Sequence, residues 1–262
     1  MKFCSLSSGS SGNCIYVETQ RSKFLIDAGF SGKQVEKLLT SIGVEAKDLD
    51  FLMVTHEHGD HIKGVGVLSR RYDLPIYANY GTWMAMGNKL GKIKEQNIQV
   101  FRSDHPLEVR DVDILPISIY HDSAEAVGYV IESQGSKISV LTDTGFVSEQ
   151  MMEHLRGSDV YLLEANHDLK MLEEGPYPPE LKKRIRSLTG HLSNLDCGRV
   201  LGDLVRGEGE HVLLAHLSEE NNLPGLAHQT VCDYLTVLGL DTSKDILLEV
   251  AGRYLPGEII IL

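Results

Sequence analysis

The sequence predicts an α/β protein in which two mixed β-sheets pack face to face under outer helices, a four-layer αββα sandwich. Short apolar runs rich in β-branched residues alternate with helical stretches. The first strands follow one another at hairpin spacing, whereas helices separate the later ones, so antiparallel and parallel pairing are mixed. No linker or repeat interrupts the chain, and we expect residues 1–262 to form a single domain.

The predicted strands are short apolar runs bounded by turn residues: Asn13–Glu18, Lys23–Asp27, Phe51–Thr55, Asp113–Ile119, Val127–Glu132, Lys137–Asp143, Asp159–Glu164 and His211–His216. The predicted helices carry apolar residues at helical spacing: Gly32–Ile42, His61–Tyr72, Gly81–Leu90, Ser148–Leu155, Asn194–Val205 and Leu226–Leu238. Glu173–Pro179 is predicted to be a loop, because its clustered prolines and glycine cannot continue a helix.

The composition is that of an ordinary globular protein, with 42% hydrophobic and 24% charged residues. No apolar run reaches the about 18 residues of a transmembrane helix, and the first residues lack the apolar stretch of a signal peptide. We therefore expect a cytoplasmic protein without membrane association. The net charge of −12 argues against broad, nonspecific binding of polyanions. The four cysteines form no Cys-x-x-Cys pair, so a cysteine-ligated zinc site is not expected.

A cluster of histidines and acids directly follows the buried run Phe51–Thr55. It reads His56-Glu57-His58-Gly59-Asp60-His61. Residues two apart on an extended backbone point the same way, so His56 and His58 can bind one metal ion. The glycine permits a turn, after which Asp60 and His61 face a position suited to a second ion. Imidazoles and carboxylates fit zinc, manganese or iron. The alternative, a histidine-rich surface loop, leaves the combination of spacing, acids and preceding strand unexplained.

Four other apolar runs end in side chains of the same type. Asp27 follows Leu25-Ile26, His121 follows a strand and Tyr120, Asp143 follows Leu141-Thr142, and His216 follows Leu214-Ala215. Each one alone would more often be a structural residue at a strand end. Their order along the chain, with each at the carboxyl end of a strand, favours one shared site.

The pattern His-x-His-x-Asp-His after an apolar strand resembles the signature of the metallo-β-lactamase superfamily, and the resemblance extends over nearly the whole chain. It implies two ligand sets joined by a bridging carboxylate: His56, His58 and His121 for one metal ion, Asp60, His61 and His216 for the second, and Asp143 between them. Asp27 matches the early aspartate that braces the metal loop. Two divalent ions about 3.5–4 Å apart can share a water, form hydroxide near neutral pH and neutralise a phosphate. On this basis Asp60 is also a catalytic candidate.

Gly190-His191-Leu192-Ser193-Asn194 resembles the His-x-Ser/Thr element of the superfamily's nucleases and phosphodiesterases. There the histidine contacts the phosphate. A general acid is needed because an alkoxide leaves poorly, and imidazole titrates in the right range, so His191 is a second catalytic candidate, as the general acid. Ser193 and Asn194 are candidates for substrate binding. Either also fits the N-cap of a helix, and both roles are compatible because a capped helix start favours anions.

Four segments together resemble the YycJ/WalJ branch of bacterial metallohydrolases: Ser7–Cys14, Glu164–Asp168, Gly190–Asn194 and Ala215–Asn222. The resemblance implies a DNA exonuclease that acts 5′ to 3′ on duplex DNA, with a place in mismatch repair or cell-wall signalling and DNA-repair proteins as partners. Asn166 and His167 become substrate-binding candidates. For His167 a supporting or surface position remains open, and the glycine–serine segment could equally be a hairpin turn.

The one dense basic run, Lys182-Lys183-Arg184-Ile185-Arg186, lies just before His191. Such a run is usually a solvated helix face. Its position gives a second interpretation, in which Lys182, Lys183 and Arg184 bind phosphates of nucleic acid.

Three functions remain open at this point. The favoured one is a two-metal phosphodiester hydrolase acting on DNA. The second is a hydrolase of small phosphodiesters or thioesters, which the same metals would serve and which the acidic charge would not hinder. The third, a non-catalytic partner in repair or signalling, would have no need for a complete ligand set. The sequence leaves open the native metal, DNA against RNA, and the oligomeric state.

Overall fold

The computed structural model describes residues 1–262 and contains two seven-stranded sheets. In spatial order, the first sheet consists of β14 (Ile260–Ile261), β1 (Lys2–Ser7), β2 (Cys14–Glu18), β3 (Lys23–Ile26), β4 (Phe51–Met53), β5 (Ile76–Asn79) and β6 (Ile98–Phe101). The second sheet consists of β13 (Ile246–Val250), β12 (Glu210–Ala215), β11 (Val160–Glu164), β10 (Ser136–Leu141), β9 (Val127–Ser133), β8 (Val112–Ser118) and β7 (Leu107–Val109).

Both sheets are mixed, as predicted. In the first, β1, β2 and β3 pair antiparallel and β3 to β6 pair parallel. In the second, β7 to β10 pair antiparallel and β10 to β13 pair parallel. Apart from β14, which pairs antiparallel with β1, the antiparallel part of each sheet comes from hairpins, and the parallel part requires crossover segments that contain the helices.

Nine α-helices connect these strands: α1 (Gly32–Ser41), α2 (Gly59–Ile62), α3 (Val65–Tyr72), α4 (Tyr80–Met86), α5 (Glu149–Leu155), α6 (Leu169–Glu174), α7 (Pro179–Ile185), α8 (Asn194–Leu204) and α9 (Pro224–Val237). Short 3₁₀ turns occur at Ala46–Asp48, Gly87–Leu90 and Glu95–Asn97. Side-chain caps begin several helices, such as Ser148 before α5 and Ser193 before α8. None of the helices is both long and apolar enough to cross a membrane.

Three apolar clusters define four layers. The central cluster contains strand residues from both sheets, including the stacked rings of Phe24 and Phe51, whose centroids lie 4.5 Å apart. A second cluster packs α1 and α3 on the outer face of the first sheet. A third packs α5, α8 and α9 on the outer face of the second sheet. The arrangement is the predicted αββα sandwich, in which each sheet buries both of its faces.

The two sheets present the carboxyl ends of several strands at one edge of the sandwich. The segments after β3, β4, β8, β10 and β12 all leave the sheets there. The sheets also meet directly at this edge, where the backbone N–H of Val127 donates to the carbonyl of Thr55 at 3.1 Å. Candidate residues that are distant in sequence are thereby brought together.

Several predicted boundaries were wrong. The predicted helix His61–Tyr72 is two helices, because the chain breaks at Gly64, whose N–H donates to the carbonyl of Ala28 at 2.7 Å instead of continuing a helix. The predicted helix Gly81–Leu90 changes to a 3₁₀ turn at Gly87, which has a φ of 46°. The predicted loop Glu173–Pro179 is shorter, since α6 ends at Glu174 and α7 begins at Pro179.

Strands β1, β5, β6, β7, β13 and β14 were not predicted. Four other strands end one or two residues earlier than predicted. Their predicted ranges were Lys23–Asp27, Phe51–Thr55, Lys137–Asp143 and His211–His216. The extra residues leave the sheet to enter the candidate site.

Candidate metal centre

Three imidazoles from two loops form the first half of the site. The Nε2 atom of His56 lies 3.1 Å from Nδ1 of His58, and Nε2 of His121 lies 3.2 Å from the same atom. His56 is fully buried, and the side chain of His121 is 2% exposed. Three nitrogens that converge so closely form one face of a metal coordination shell.

Two carboxylates and two imidazoles form the second half. The Nε2 atom of His61 lies 3.3 Å from Asp143 and 3.8 Å from Asp60, and Nε2 of His216 lies 3.4 Å from Asp143 and 4.0 Å from Asp60. Asp143 also lies 3.9 Å from Nε2 of His121. Its carboxylate therefore stands between the two sets of histidines, which is the position expected of a bridging ligand.

The residues present fit divalent metal ions. Oδ2 of Asp143 and Nε2 of His216 are buried and have no hydrogen-bond partner in the protein. Buried polar atoms normally have partners, and a metal ion would supply one to both. The donor set combines imidazole and carboxylate without thiolate, which suits zinc, manganese or iron. The structure thus brings all seven predicted ligands into one cluster.

Three of the candidate ligand histidines are held from behind by hydrogen bonds. Nδ1 of His61 donates to Asp27 at 2.7 Å, and Nδ1 of His216 donates to Glu164 at 2.8 Å. The hydroxyl of Thr55 donates to Asp27 at 2.7 Å and can accept from Nδ1 of His56 at 3.0 Å. Such partners orient each ring so that its Nε2 atom faces the cluster. Asp27 therefore lies where the resemblance placed it, as a brace.

Backbone geometry at the strand ends also serves the site. Asp27, Asp143 and His216 have φ values of 60°, 59° and 53°. This left-handed conformation costs a residue other than glycine about 1–3 kcal/mol and is concentrated at functional sites. Close packing fixes the next turn as well, since a Cβ added at Gly29 would overlap the carbonyl oxygen of Asp60. The strained turns direct these side chains toward the shared cluster.

Glu164 contacts two residues of the candidate site, although the sequence analysis assigned it no role. Its Oε1 atom accepts from Nδ1 of His216 and from Nδ1 of His191, each at 2.8 Å. Its Oε2 atom accepts from the backbone N–H of Thr144 at 2.9 Å. Glu164 is completely buried at the end of β11. An acid at the end of an apolar strand was the available signal, the same one that identified Asp143.

The electrostatics keep the carboxylates ionised. Burial alone would raise the pKa of Asp143, but His216 and His61 hold it well below its usual range. Burial likewise opposes ionisation of Glu164, yet His191 and His216 lower its pKa to about 2. For His191, burial acts to lower the pKa, but the Glu164 carboxylate raises it above the usual value.

His191 lies beside the metal ligands, with its ring centroid 5.5 Å from that of His121 and 5.3 Å from that of His216. Its bond to Glu164 uses Nδ1 and leaves Nε2 free. The side chain is 19% exposed and lines a small pocket together with Ser10, Asn166, Tyr177, Arg184 and Ser218. A donor in this position can meet a group that is bound at the cluster.

Three residues of the predicted substrate-binding set lie behind the site. His167, Ser193 and Asn194 are only 1–2% exposed. Ser193 caps α8 by accepting from the N–H of Asp196 at 3.1 Å, and Asn194 donates to Asn222 at 3.0 Å. For these three, direct contact with a substrate is corrected to a supporting position, because their side chains are enclosed by the protein.

Asn166 and His167 occupy different environments. Asn166 is 5% exposed, lines the His191 pocket and donates to the carbonyl of His216 at 2.8 Å, so it braces the last ligand. Burial lowers the pKa of His167 to about 4, and its Nδ1 atom has no partner. The glycine–serine segment is the hairpin turn between β1 and β2, and it also touches the site, since Ser8 Oγ accepts from the N–H of His216 at 2.8 Å.

The basic run lies mainly on α7. Lys182 donates to the carbonyl of Glu173 at 2.6 Å and lines a surface pocket with Lys183 and Arg186. Arg184 forms an ion pair with Asp122 and reaches the His191 pocket. The run is thus an exposed helix face whose central residue adjoins the candidate site.

Comparison with known proteins identifies the family of this chain. Residues 22–217 match the family model of the beta-lactamase superfamily domain. The chain is 38% identical over 259 residues to exodeoxyribonuclease YycJ of Bacillus anthracis, covering 99% of this chain and 98% of the relative. It is 41% identical over 246 residues to exodeoxyribonuclease WalJ of Streptococcus pneumoniae serotype 2, covering 93% and 91%.

Solved structures share the fold. The metallo-beta-lactamase fold protein YhfI from Bacillus subtilis has a TM-score of 0.75 at 17% identity, over 98% of each chain. Zn(2+)-bound PqqB from Methylobacterium extorquens has a TM-score of 0.72 at 15% identity, over the whole of each chain. The predicted fold class is confirmed, and the chain is a metal-dependent hydrolase. It belongs to the YycJ/WalJ branch of the metallo-β-lactamase superfamily.

Proposed function

We propose that this protein is a two-metal DNA exonuclease of the cytoplasm that degrades duplex DNA from 5′ to 3′ and serves DNA repair. The observation that carries the proposal is the carboxylate of Glu164, which accepts from the ligand His216 and from His191 through one oxygen. This contact fixes a proton donor beside the metal ligands. DNA as the substrate is supported by the two full-length relatives, both of which are named exodeoxyribonucleases.

The metal ligands divide into two sets that share Asp143. His56, His58 and His121 would hold one ion, and Asp60, His61 and His216 the other. Divalent ions bound there would activate water and neutralise the charge of a phosphodiester. The protein's own contribution is to hold the ligands in place, through Asp27 behind His61 and Glu164 behind His216.

His191 supplies the proton for the leaving group. Hydrolysis of a phosphodiester releases an alkoxide, which leaves poorly unless it is protonated. Glu164 holds Nδ1 of His191, so the proton for transfer is the one on Nε2. Because the Glu164 carboxylate outweighs burial and raises the pKa of His191, the ring is better able to carry that proton near neutral pH.

The charge distribution is compatible with a nucleic acid despite a net charge of −12. The cationic side chains of α7 lie beside the His191 pocket, with Arg184 lining it. Local cations position a phosphate backbone, whereas the overall negative charge opposes nonspecific binding elsewhere. We infer that DNA enters along this face.

The direct test is to incubate the metal-loaded protein with end-labelled duplex DNA, single-stranded DNA and RNA, and separately with bis-p-nitrophenyl phosphate. Zinc, manganese and iron are tested in turn. The proposal predicts progressive shortening of duplex DNA from its 5′ end. If small phosphodiesters are hydrolysed while no DNA is cut with any metal, the enzyme is a small-molecule phosphodiesterase instead.

A further inference from the structure

Two aromatic side chains stand exposed next to the metal centre and contact each other. Tyr120 and Phe146 are each 42% exposed, with ring centroids 5.5 Å apart and planes at 71°. Tyr120 directly precedes the ligand His121, and Phe146 is the third residue after Asp143. Neither ring takes part in holding the ligands described above. Large apolar rings in such a position are available to a bound molecule.

Hydrogen bonds fix the aromatic pair to the metal loops. The backbone N–H of Gly145 donates to the carbonyl of Tyr120 at 3.1 Å, and the N–H of Tyr120 donates to the hydroxyl of Thr144 at 3.3 Å. That hydroxyl donates to the carbonyl of Phe146 at 2.8 Å. Thr144 is in turn held by Glu164. The two rings are thereby carried on the same rigid support as Asp143 and Glu164.

The pair also adjoins the basic helix. The segment after α7 packs directly on the loop of the pair, since a Cβ at Gly145 would overlap the carbonyl oxygen of Ser187. Arg184 of α7 forms an ion pair with Asp122, two residues from Tyr120. The exposed rings are therefore carried on the loops of the candidate ligands His121 and Asp143, and the Gly145 loop packs on the segment that follows the basic helix. Aromatic faces combined with a cationic groove are what single-stranded nucleic acid binds.

We propose that Tyr120 and Phe146 form a nucleobase subsite that stacks a base of the DNA strand close to the scissile phosphate. The inference rests on the proposed function and adds to it a means of handling the duplex end. A base inside a duplex is already stacked on its neighbours, so it must leave the duplex to reach the rings, and stacking on the rings offsets part of that cost. The subsite is tolerant of base identity, because every base has a π-face.

The test is a double-mutant cycle in which a ring is removed from the protein and a base is removed from the DNA, separately and together. Tyr120→Leu and Phe146→Leu remove a ring, whereas Tyr120→Phe and Phe146→Tyr keep it. Each protein is assayed on five duplex DNA substrates. One is intact, and each of the other four carries a single tetrahydrofuran abasic residue, at the first, second, third or fourth position of the degraded strand. With intact DNA the leucine variants should lose roughly 5- to 150-fold in rate, the value of one base–aromatic stack. The ring-retaining variants should match the wild type.

At one abasic position the wild type should slow to the rate of the leucine variants, and the variants should lose nothing more. This half of the cycle uses the unaltered protein, so it does not depend on the folding of a variant. A second readout is binding of a phosphorothioate strand with 2-aminopurine at that position, whose fluorescence the wild type and Tyr120→Phe should quench and Tyr120→Leu should not.

Two results would overturn the subsite while the nuclease proposal stands. In one, the rate losses from removing a ring and from removing a base are fully additive at all four positions. In the other, the leucine variants quench the fluorescence as much as the wild type does. If the wild type degrades no DNA, the proposed function fails first and the subsite fails with it.

Discussion

At the scale of single residues, substitution of His191 gives the most direct test of the proposed mechanism. Removing it in His191→Ala should leave the fold and the metal content unchanged, because its side-chain hydrogen bond goes to Glu164 and it is not one of the seven predicted ligands. Turnover of DNA should fall roughly 10²- to 10⁴-fold through loss of the general acid. With bis-p-nitrophenyl phosphate the loss should be much smaller, since p-nitrophenolate needs little protonation. Steady-state kinetics on both substrates measure the difference.

Two other results are distinguishable in the same variant. Phosphate positioning would give a similar loss for every substrate, partly in KM. Release of metal, measured by elemental analysis of the purified variant, would make His191 a ligand and exclude the acid role. Glu164→Gln tests how His191 is supported. As in His191→Ala, the rate loss should be larger for DNA than for bis-p-nitrophenyl phosphate, because the Nδ1 proton of His191 loses its charged acceptor.

Residues differed in how far the sequence could predict them. The predicted ligands His56, His58, Asp60 and His61 are close in sequence, so their spacing alone indicates a metal site. Glu164 was missed because its partners, His191 and His216, are 27 and 52 residues away. Ser193 and Asn194 were assigned to the substrate, yet both are buried, which a motif does not reveal.

At the scale of elements, α7 tests how DNA approaches. Lys182→Glu combined with Lys183→Glu reverses two charges of this helix but leaves Arg184 and its ion pair with Asp122 intact. Binding of long DNA should weaken and its dependence on salt should flatten, because fewer counterions are released. Hydrolysis of a small phosphodiester should be unchanged.

The matched control places the same charge change on α1, as Lys33→Glu with Lys37→Glu, both exposed on the outer face of the first sheet. If this control weakens DNA binding as much as the α7 variant does, the effect is one of net charge and α7 is no binding surface. Fluorescence anisotropy over a range of salt concentrations makes the comparison.

Elements were predicted well where apolar periodicity was strong and poorly at their ends. The central strands β9 to β12 were all found, since they are buried on both faces. The two residues of β14 are too few to show a pattern. The strand ends at Asp27, Asp143 and His216 were placed too late, because the left-handed turns that end them depend on tertiary contacts.

At the scale of the whole molecule, the sandwich explains why seven ligands spread over residues 56–216 meet at one place. The ligands come from loops at a common edge of two sheets, and the sheets are held together there by contacts such as Tyr129 donating its hydroxyl proton to the carbonyl of Val54 at 2.5 Å. The order of strands in each sheet, by contrast, could not be predicted from local patterns, because it depends on which distant segments pair.

The central claim is that two metal ions act together on DNA, and a metal titration tests it most directly. Protein stripped of metal receives increasing equivalents of manganese or zinc, and degradation of end-labelled duplex DNA is measured at each step. Because the two ligand sets share Asp143 and both ions are needed, DNA degradation should stay low at one equivalent and reach its maximum near two. In Asp60→Ala, which loses a ligand of the second set, it should stay low throughout. Full activity at one equivalent, or undiminished activity of Asp60→Ala, would contradict the account.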